Sequence, residues 1–329
     1  MEFTQEVRKA TDPIYQKISK VMPEIEWSVH APYIHKINKL KKEKNAVILA
    51  HNYQTPEIYH GISDFSADSL ALAVEAAKTK ADIIVMCGVH FMAETAKLMS
   101  PEKKVLLPDM QAGCSLSSSI TGDDVRKLKK QYPGVPVVSY VNTSAEVKAE
   151  TDVCCTSANA VKIVESLKVK KVIFLPDDFL AKYVASQTNT EIISWKGTCE
   201  VHEQFKDEEI NEIRRANPGI KIIAHPECPP DVIQASDFAG STSGMIKYVR
   251  DNQPEKVMMV TECSMSDNVQ IDNPNVEFIR PCNLCPHMKR ITLPKILNCL
   301  ENESNELVMD DQTIAKARKS VERMAEIGR

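Results

Sequence analysis

Apolar residues along this chain gather in short unbroken runs, and between the runs hydrophobic positions recur at helical spacing. "NAVILAHNY", "ADIIVMCGV" and "KKVLLPD" read as buried strands of a parallel sheet, because a strand covered on both faces needs no polar alternation. "ADSLALAVEAAKTK" and "MAETAKLMSP" carry the three- and four-residue spacing of helices. The pattern restarts with "VPVVSYVNT", "TDVCCTS" and "KKVIFLPDD", and "SANAVKIVESLK" supplies the helix between the last two. It restarts again with "IKIIAHPEC", "SDFAGST" and "EKVMMVTEC", with "SGMIKYVRDN" as the intervening helix. "KVLLPD" and "KVIFLPD" end almost alike, so both read as third strands of a β-α-β-α-β unit whose helices cross between parallel neighbours. The expected architecture is α/β, with three pseudo-repeated three-layer domains that arise by internal triplication. The domains are placed at residues 1–117 (with an N-terminal helical extension), 118–205 and 206–287, and the helices of 288–329 are expected to pack on the first.

Composition changes this picture little. The 329 residues are 43% hydrophobic and 26% charged, ordinary for a globular chain long enough to need more than one core. A net charge of −4 gives no reason to expect nucleic acid or an anionic membrane as partner. The local basic run "HKINKLKKEKN" carries Ile34, Ile37 and Leu40 at helical spacing and reads as the solvated side of an amphipathic helix. No stretch approaches the roughly 20 apolar residues of a membrane span, and "MEFTQEVRKATDP" lacks the apolar run of a secretory signal. A cytoplasmic protein is expected.

The ten cysteines change it more. In a reducing compartment they point to metal or redox chemistry rather than to disulfides. Cys87, Cys154 and Cys299 lie in apolar strand or helix patterns and read as core. Cys114, Cys199 and Cys285 follow the third strand of each unit in loops that contain glycine or proline, and they are 85 and 86 residues apart. One thiol per repeat at equivalent loops suits convergence on a metal group. "RPCNLCPHMKR" adds Cys282, giving a Cys-x-x-Cys that reads as half a zinc site, a redox pair or a cluster ligand with a neighbour.

Polar residues keep the same register. First strands end in His51-Asn52-Tyr53, Tyr140-Val141-Asn142 and His225-Pro226-Glu227, and ligands of open α/β sheets bind beyond such carboxyl ends. After the second strands, Ser157, Thr242 and Ser243 are expected to open helices, where free N–H groups favour anions and where plain capping is equally common. His90 and Glu94 also lie beyond a strand end and read as structural or as support for the site.

Taken together, "AHNYQTPEI", "SDFSADSLALA", "PDMQAGCSL", "YVNTSAEVKAETDVCCTSANA", "GTCEVHEQF", "HPEC", "GSTSGM" and "CPHMKRITL" resemble the quinolinate synthase family, the A protein of de novo NAD biosynthesis. The resemblance covers about residues 45–300. It implies three α/β domains around a central [4Fe–4S] cluster held by Cys114, Cys199 and Cys285, with Cys282 not a ligand. It also implies a condensing and dehydrating transferase that joins iminoaspartate to dihydroxyacetone phosphate, giving quinolinate, phosphate and water. A transient contact with the enzyme that supplies iminoaspartate fits that chemistry. His51, Tyr53, Tyr140 and Glu227 are the implied catalytic residues. Ser69, Val141, Asn142, Ser157, His225, Pro226 and Thr242 join His51, Tyr140 and Glu227 in holding substrate. A longer Cys-x-x-Cys-x-x-Cys run of some family members is absent, because position 279 is Ile279. Three thiolates on a four-iron cubane leave one iron open to act as a Lewis acid, whereas electron-transfer clusters are closed by four. A redox regulator built on Cys282 and Cys285 would leave the His, Tyr and Ser residues without a role. A radical enzyme using S-adenosylmethionine would need a closely spaced Cys-x₃-Cys-x₂-Cys, which the chain lacks.

Overall fold

A computed structural model describes residues 1–280 and 282–328. Strand β1 (Ala46–His51) lies between β2 (Phe65–Ala67) and β3 (Ile83–Cys87), and β4 (Lys104–Leu106) closes the far edge. The second sheet repeats this order with β5 (Val137–Tyr140), β6 (Val153–Cys155), β7 (Lys171–Leu175) and β8 (Glu191–Ser194). The third repeats it with β9 (Lys221–Ala224), β10 (Phe238–Ala239), β11 (Lys256–Val260) and β12 (Glu277–Ile279). Every neighbouring pair is parallel, and a helix joins each strand to the next, so the architecture is α/β with three repeated sheets.

Each sheet has four strands, one more than the hydrophobic runs suggest. The missed ones are β2, β8 and β12, short edge strands with mixed polar content; β8 carries exposed Glu191 and Ser194 at its ends. Their loss shifts the register. "KVLLPD" holds the fourth strand of the first sheet, whereas "KVIFLPD" holds the third strand of the second. Cys114, Cys199 and Cys285 therefore all follow the fourth strand of a sheet, and the regularity tightens.

A side-chain latch marks the triplication. Asp64, Asp152 and Asp237 each stand immediately before the second strand of a sheet. Their carboxylates accept the backbone N–H of Ile48 (2.8 Å), Val137 (2.7 Å) and Ile222 (2.8 Å) on the first strand. The N–H of each Asp returns to the carbonyl of the same partner, at 2.9, 3.0 and 2.7 Å. Both backbone groups of one residue are thus claimed by one aspartate, which fixes strand register where β2, β6 and β10 have only two or three residues to do so. The repeated "SDF", "TDV" and "SDF" are the sequence mark of this device.

The chain packs as two compact units. One contains the first sheet and comprises Met1–Ala112, Cys263–Pro274 and Leu284–Leu307; the other contains the second and third sheets and comprises Gly113–Glu262, Asn275–Asn283 and the chain from Val308 on. In the first unit the amphipathic helix Glu24–Glu43 buries Trp27, Ile34 and Ile37 and packs against helix Leu293–Asn302. In the second unit, helix Asp311–Gly328 buries Ile314, Ala317, Val321 and Met324 against helix Ala145–Ala149 and β6. The reading that placed both C-terminal helices on the first domain is corrected for this one. Its apolar stripe says that it must dock but not where, and Ser320 sets the place by donating to Lys148 O (3.0 Å). Among the described residues no helix is long and apolar enough to cross a membrane.

Candidate functional site

In the second unit the carboxyl ends of β5 and β9 carry Tyr140 and His225-Pro226-Glu227. Glu227 is buried and lies at the centre of a polar cluster. Its Oε2 is 2.9 Å from His202 Nδ1 and 3.9 Å from His225 Nδ1, and Tyr140 hydrogen-bonds to the carboxylate. Burial by itself would raise the Glu227 carboxyl. The charges of His225 and His202 and the hydrogen bonds from His202 and Tyr140 outweigh it and hold the group well below the usual carboxylate range. The surroundings of Glu227 thus favour its ionised form in spite of its burial.

The two imidazoles stack with centroids 4.8 Å apart and planes 27° from parallel. The Glu227 N–H lies 3.4 Å from His225 Nδ1, and His225 Nε2 faces Ser157 Oγ at 3.1 Å. His202 is held from both sides, by Thr261 Oγ1 at 3.0 Å from Nε2 and by Cys199 Sγ at 3.1 Å from Nδ1. Ligand atoms of Cys199, His202 and Glu227 lie within 4.8 Å of one another, the spacing of a group able to hold a metal.

Cys199 owes its place to a close backbone approach. The Gly197 N–H donates to Pro176 O (3.1 Å) and Gly197 O accepts from Asp178 N–H (2.9 Å); a Cβ at position 197 would fall 2.5 Å from Pro176 O, so only glycine fits. Ser115 then joins this loop to that of Cys114, donating to Thr198 O (3.0 Å) and accepting from Glu200 N–H (3.1 Å). Burial pushes the Cys199 thiol well up, and the charges of Glu227 and Cys114 push it further. A thiol in these surroundings gives up its proton when a cation binds the sulfur rather than on its own at neutral pH.

The remaining residues expected of the site are placed as follows. Asn142 lies in the turn after β5, and its buried Oδ1 accepts from no group among the described residues. Val141 O and Thr143 O flanking it both accept from Lys148 Nζ, a fully buried ammonium. Ser157 does not open a helix: the next helix starts at Ala160 with Asn159 as its cap, and the Ser157 hydroxyl instead meets His225. Thr242 is the first residue of helix Thr242–Asn252 and is buried, but Ser241 is the cap, accepting from Gly244 N–H (3.1 Å). In the first unit His51 ends β1 and meets the ring of Tyr53 edge-on, with centroids 4.7 Å apart. Ser69 is the first residue of helix Ser69–Lys78, capped by Asp68. His90 Nδ1 and Glu94 Oε1 lie 3.8 Å apart on one helix.

Burial sorts the cysteines. Cys87, Cys154, Cys155, Cys228, Cys263 and Cys299 are buried, Cys282 is exposed, and the three at intermediate exposure are Cys114, Cys199 and Cys285. Partial exposure suits a ligand that must meet an incoming metal group. It follows that Cys282 should react first with iodoacetamide in the native protein at pH 8. Cys299, pushed up to about 12 by burial, and Cys87, raised further, should react only after unfolding. Peptide mass mapping over time reads this order, and early labelling of Cys299 would contradict the packing described.

The pattern of the family described as Quinolinate synthetase A protein matches residues 35–326. The chain belongs to that family. Named relatives agree with it. Quinolinate synthase of Sinorhizobium fredii is 59% identical over 327 residues, 99% of this chain and 91% of its own length. Quinolinate synthase of Caulobacter vibrioides is 56% identical over 329 residues, covering 99% and 90%, and that of Xylella fastidiosa is 58% identical over 294 residues, covering 89% and 87%. For a member of the quinolinate synthetase A family, the residue that sequence reasoning missed is His202. Its signal was the Cys-x-x-His of "GTCEVH", which lies in a loop with no strand end to draw notice. The donor set also fits the iron–sulfur cluster that the family resemblance implies. In the second unit the half-exposed Cys114 and Cys199 sit on loops tied by Ser115, and the buried Asn142 Oδ1 has no partner among the described residues.

Proposed function

We propose that this chain condenses iminoaspartate with dihydroxyacetone phosphate to give quinolinate, phosphate and water, with a [4Fe–4S] cluster held by Cys114, Cys199 and Cys285. When bound, the cluster would supply an iron without a protein ligand, a Lewis acid suited to the loss of hydroxide and needing no net redox change. The observation that carries the reading is the buried Glu227 between His202 and Tyr140, with ligand atoms within 4.8 Å of the Cys199 thiol. Imine formation, isomerisation and dehydration all move protons, and this buried group of hydrogen-bonded side chains is suited to pass them. Tyr140 O–H donates to Glu227, and Glu227 is in turn paired with the His202 ring, whose tautomer Thr261 orients. Tyr53, set against His51, supplies a second phenol.

Anions would be held by hydroxyl, imidazole and backbone donors. Ser157 and the His225 Nε2–H beside it present two donors to a carboxylate, Thr242 offers a hydroxyl and backbone N–H at a helix start, and Ser69 offers the same in the first unit. The backbone at Val141 and Pro226 lines the turns on which Asn142 and Glu227 stand. A cytoplasmic site of action, and a transient contact with the enzyme that makes the unstable imine, are part of the same proposal.

The Cys199–His202–Glu227 spacing favours a second reading, a single zinc ion on those three side chains. Metal analysis separates the two. Protein purified without oxygen should carry about four iron and four sulfide per chain and convert the two substrates to quinolinate. One zinc per chain with no sulfide would overturn the cluster in favour of the mononuclear site.

A further inference from the structure

The turn that follows β1 keeps one bond to β2, from Asn52 N–H to Ala67 O (3.1 Å), and three consecutive carbonyls in it are taken by side chains from far along the sequence. Asn268 Nδ2 donates to Asn52 O (3.2 Å) and Gln54 O (2.7 Å). Lys289 Nζ donates to the carbonyl between them, Tyr53 O (2.8 Å), and to Ser264 Oγ (2.7 Å). The Gln54 side-chain amide meets Met288 Sδ at 3.5 Å. Asn52, Gln54, Asn268 and Met288 are buried, so the Asn268 bonds form out of competition with water, while Lys289 and Tyr53 are half-buried. Lys289 also has a second attachment: its backbone N–H donates to Cys285 O (3.1 Å), closing a turn on the cysteine segment.

We infer that Lys289 is a positioning residue that holds Tyr53 in its working place and ties that place to the segment bearing Cys285. The inference rests on the roles proposed above for Tyr53 and Cys285. The ammonium suits the task because it is a point charge with three donors, two of which are spent on Tyr53 O and Ser264 Oγ. Hydrogen bonds from a charged donor contribute more than neutral ones, and here the acceptor is the backbone of the residue whose ring must be placed. Asn268 fixes the carbonyls on either side, so loss of Lys289 lets the centre of the turn shift while its ends stay anchored. When a metal group seizes the Cys285 thiol and stills its segment, Lys289 passes that order to Tyr53. Assembly of the cofactor and alignment of the phenol then become one event.

The test compares parent and Lys289→Met proteins, with and without iron, by peptide-level hydrogen exchange and steady-state kinetics. In the parent, loading iron should slow exchange in both 51–56 and 285–290. In Lys289→Met the iron count and the slowing at 285–290 should persist, while the slowing at 51–56 is lost. The kcat should fall about 10- to 100-fold, the size of effect that a misplacement near 1 Å produces, with KM within about twofold. If Lys289→Met does not fold, Lys289→Gln, which keeps a shorter donor, supplies the same comparison. Parental kcat together with parental slowing at 51–56 in either folded variant overturns the inference. Full activity in Tyr53→Phe would instead overturn the role proposed for Tyr53 while leaving the exchange signature of the clamp intact.

Discussion

Cys114→Ser, Cys199→Ser and Cys285→Ser proteins are each expected to come through anaerobic reconstitution without the iron–sulfur absorption and without quinolinate formation. A serine hydroxyl is a far weaker ligand for iron than a thiolate, and with three protein ligands there is no spare to replace a lost one. The loss should be complete rather than graded. The control is Cys299→Ser. Cys299 is buried, its Sγ donates to Ser304 O (3.2 Å), and a hydroxyl can inherit that bond, so iron content and rate should stay near the parent's. Cys199 is the most informative of the three, since its thiol also touches His202. An intact four-iron spectrum in the Cys285→Ser protein would remove Cys285 from the ligand set and move suspicion to Cys282. An intact one in Cys199→Ser would undo the proposed site as a whole.

The second large effect is expected at Glu227. Glu227→Gln keeps the shape of the side chain and an acceptor for Tyr140 but deletes the charge between the two histidines. General acid–base groups contribute about 10²- to 10⁴-fold, and kcat should fall within that range while the iron count and absorption stay parental. The cost is specific to chemistry because the fold around position 227 is closed: the side chain is 3% exposed and a Gln fills the same space. His202 and His225 lose the anion they face at 2.9 and 3.9 Å. A variant within about threefold of the parental kcat would show that Glu227 is a structural carboxylate, and the proton path would have to run through Tyr53 and His51 instead.

Much of the fold could be read from residues alone where the physics is local. The central strands β1, β3, β5, β7, β9 and β11 are buried on both faces, so they stand out as runs such as "AVILAH" and "KVMMV". The edge strands β2, β8 and β12 face solvent on one side, need little apolar content and leave no run to see. The even spacing of Cys114, Cys199 and Cys285 was legible for a different reason: a repeated fold puts equivalent loops at a constant interval, so residues of those loops recur with that interval whatever the strand count between them. The strand-end residues Tyr140, His225 and Glu227 were legible by the same repetition.

What only the tertiary structure decided are the properties that depend on pairs distant in sequence. Glu227 is one glutamate among many until His202 and His225 surround it and lower its carboxyl against the burial that would raise a lone one. His202 becomes part of the cluster because the loop after β8 brings it to the end of β9, a meeting that no periodicity encodes. Ser157 looked like a helix cap because local sequence favours capping, and it became a partner of His225 because a neighbouring strand offered a stronger bond. Lys289 reaches Tyr53 across 236 residues. Hydrophobic periodicity and repeat spacing are set by bonds to near neighbours and can be read along the chain. Charge state and side-chain placement are set by whatever the fold packs around a group, and that is fixed only once the strands have met.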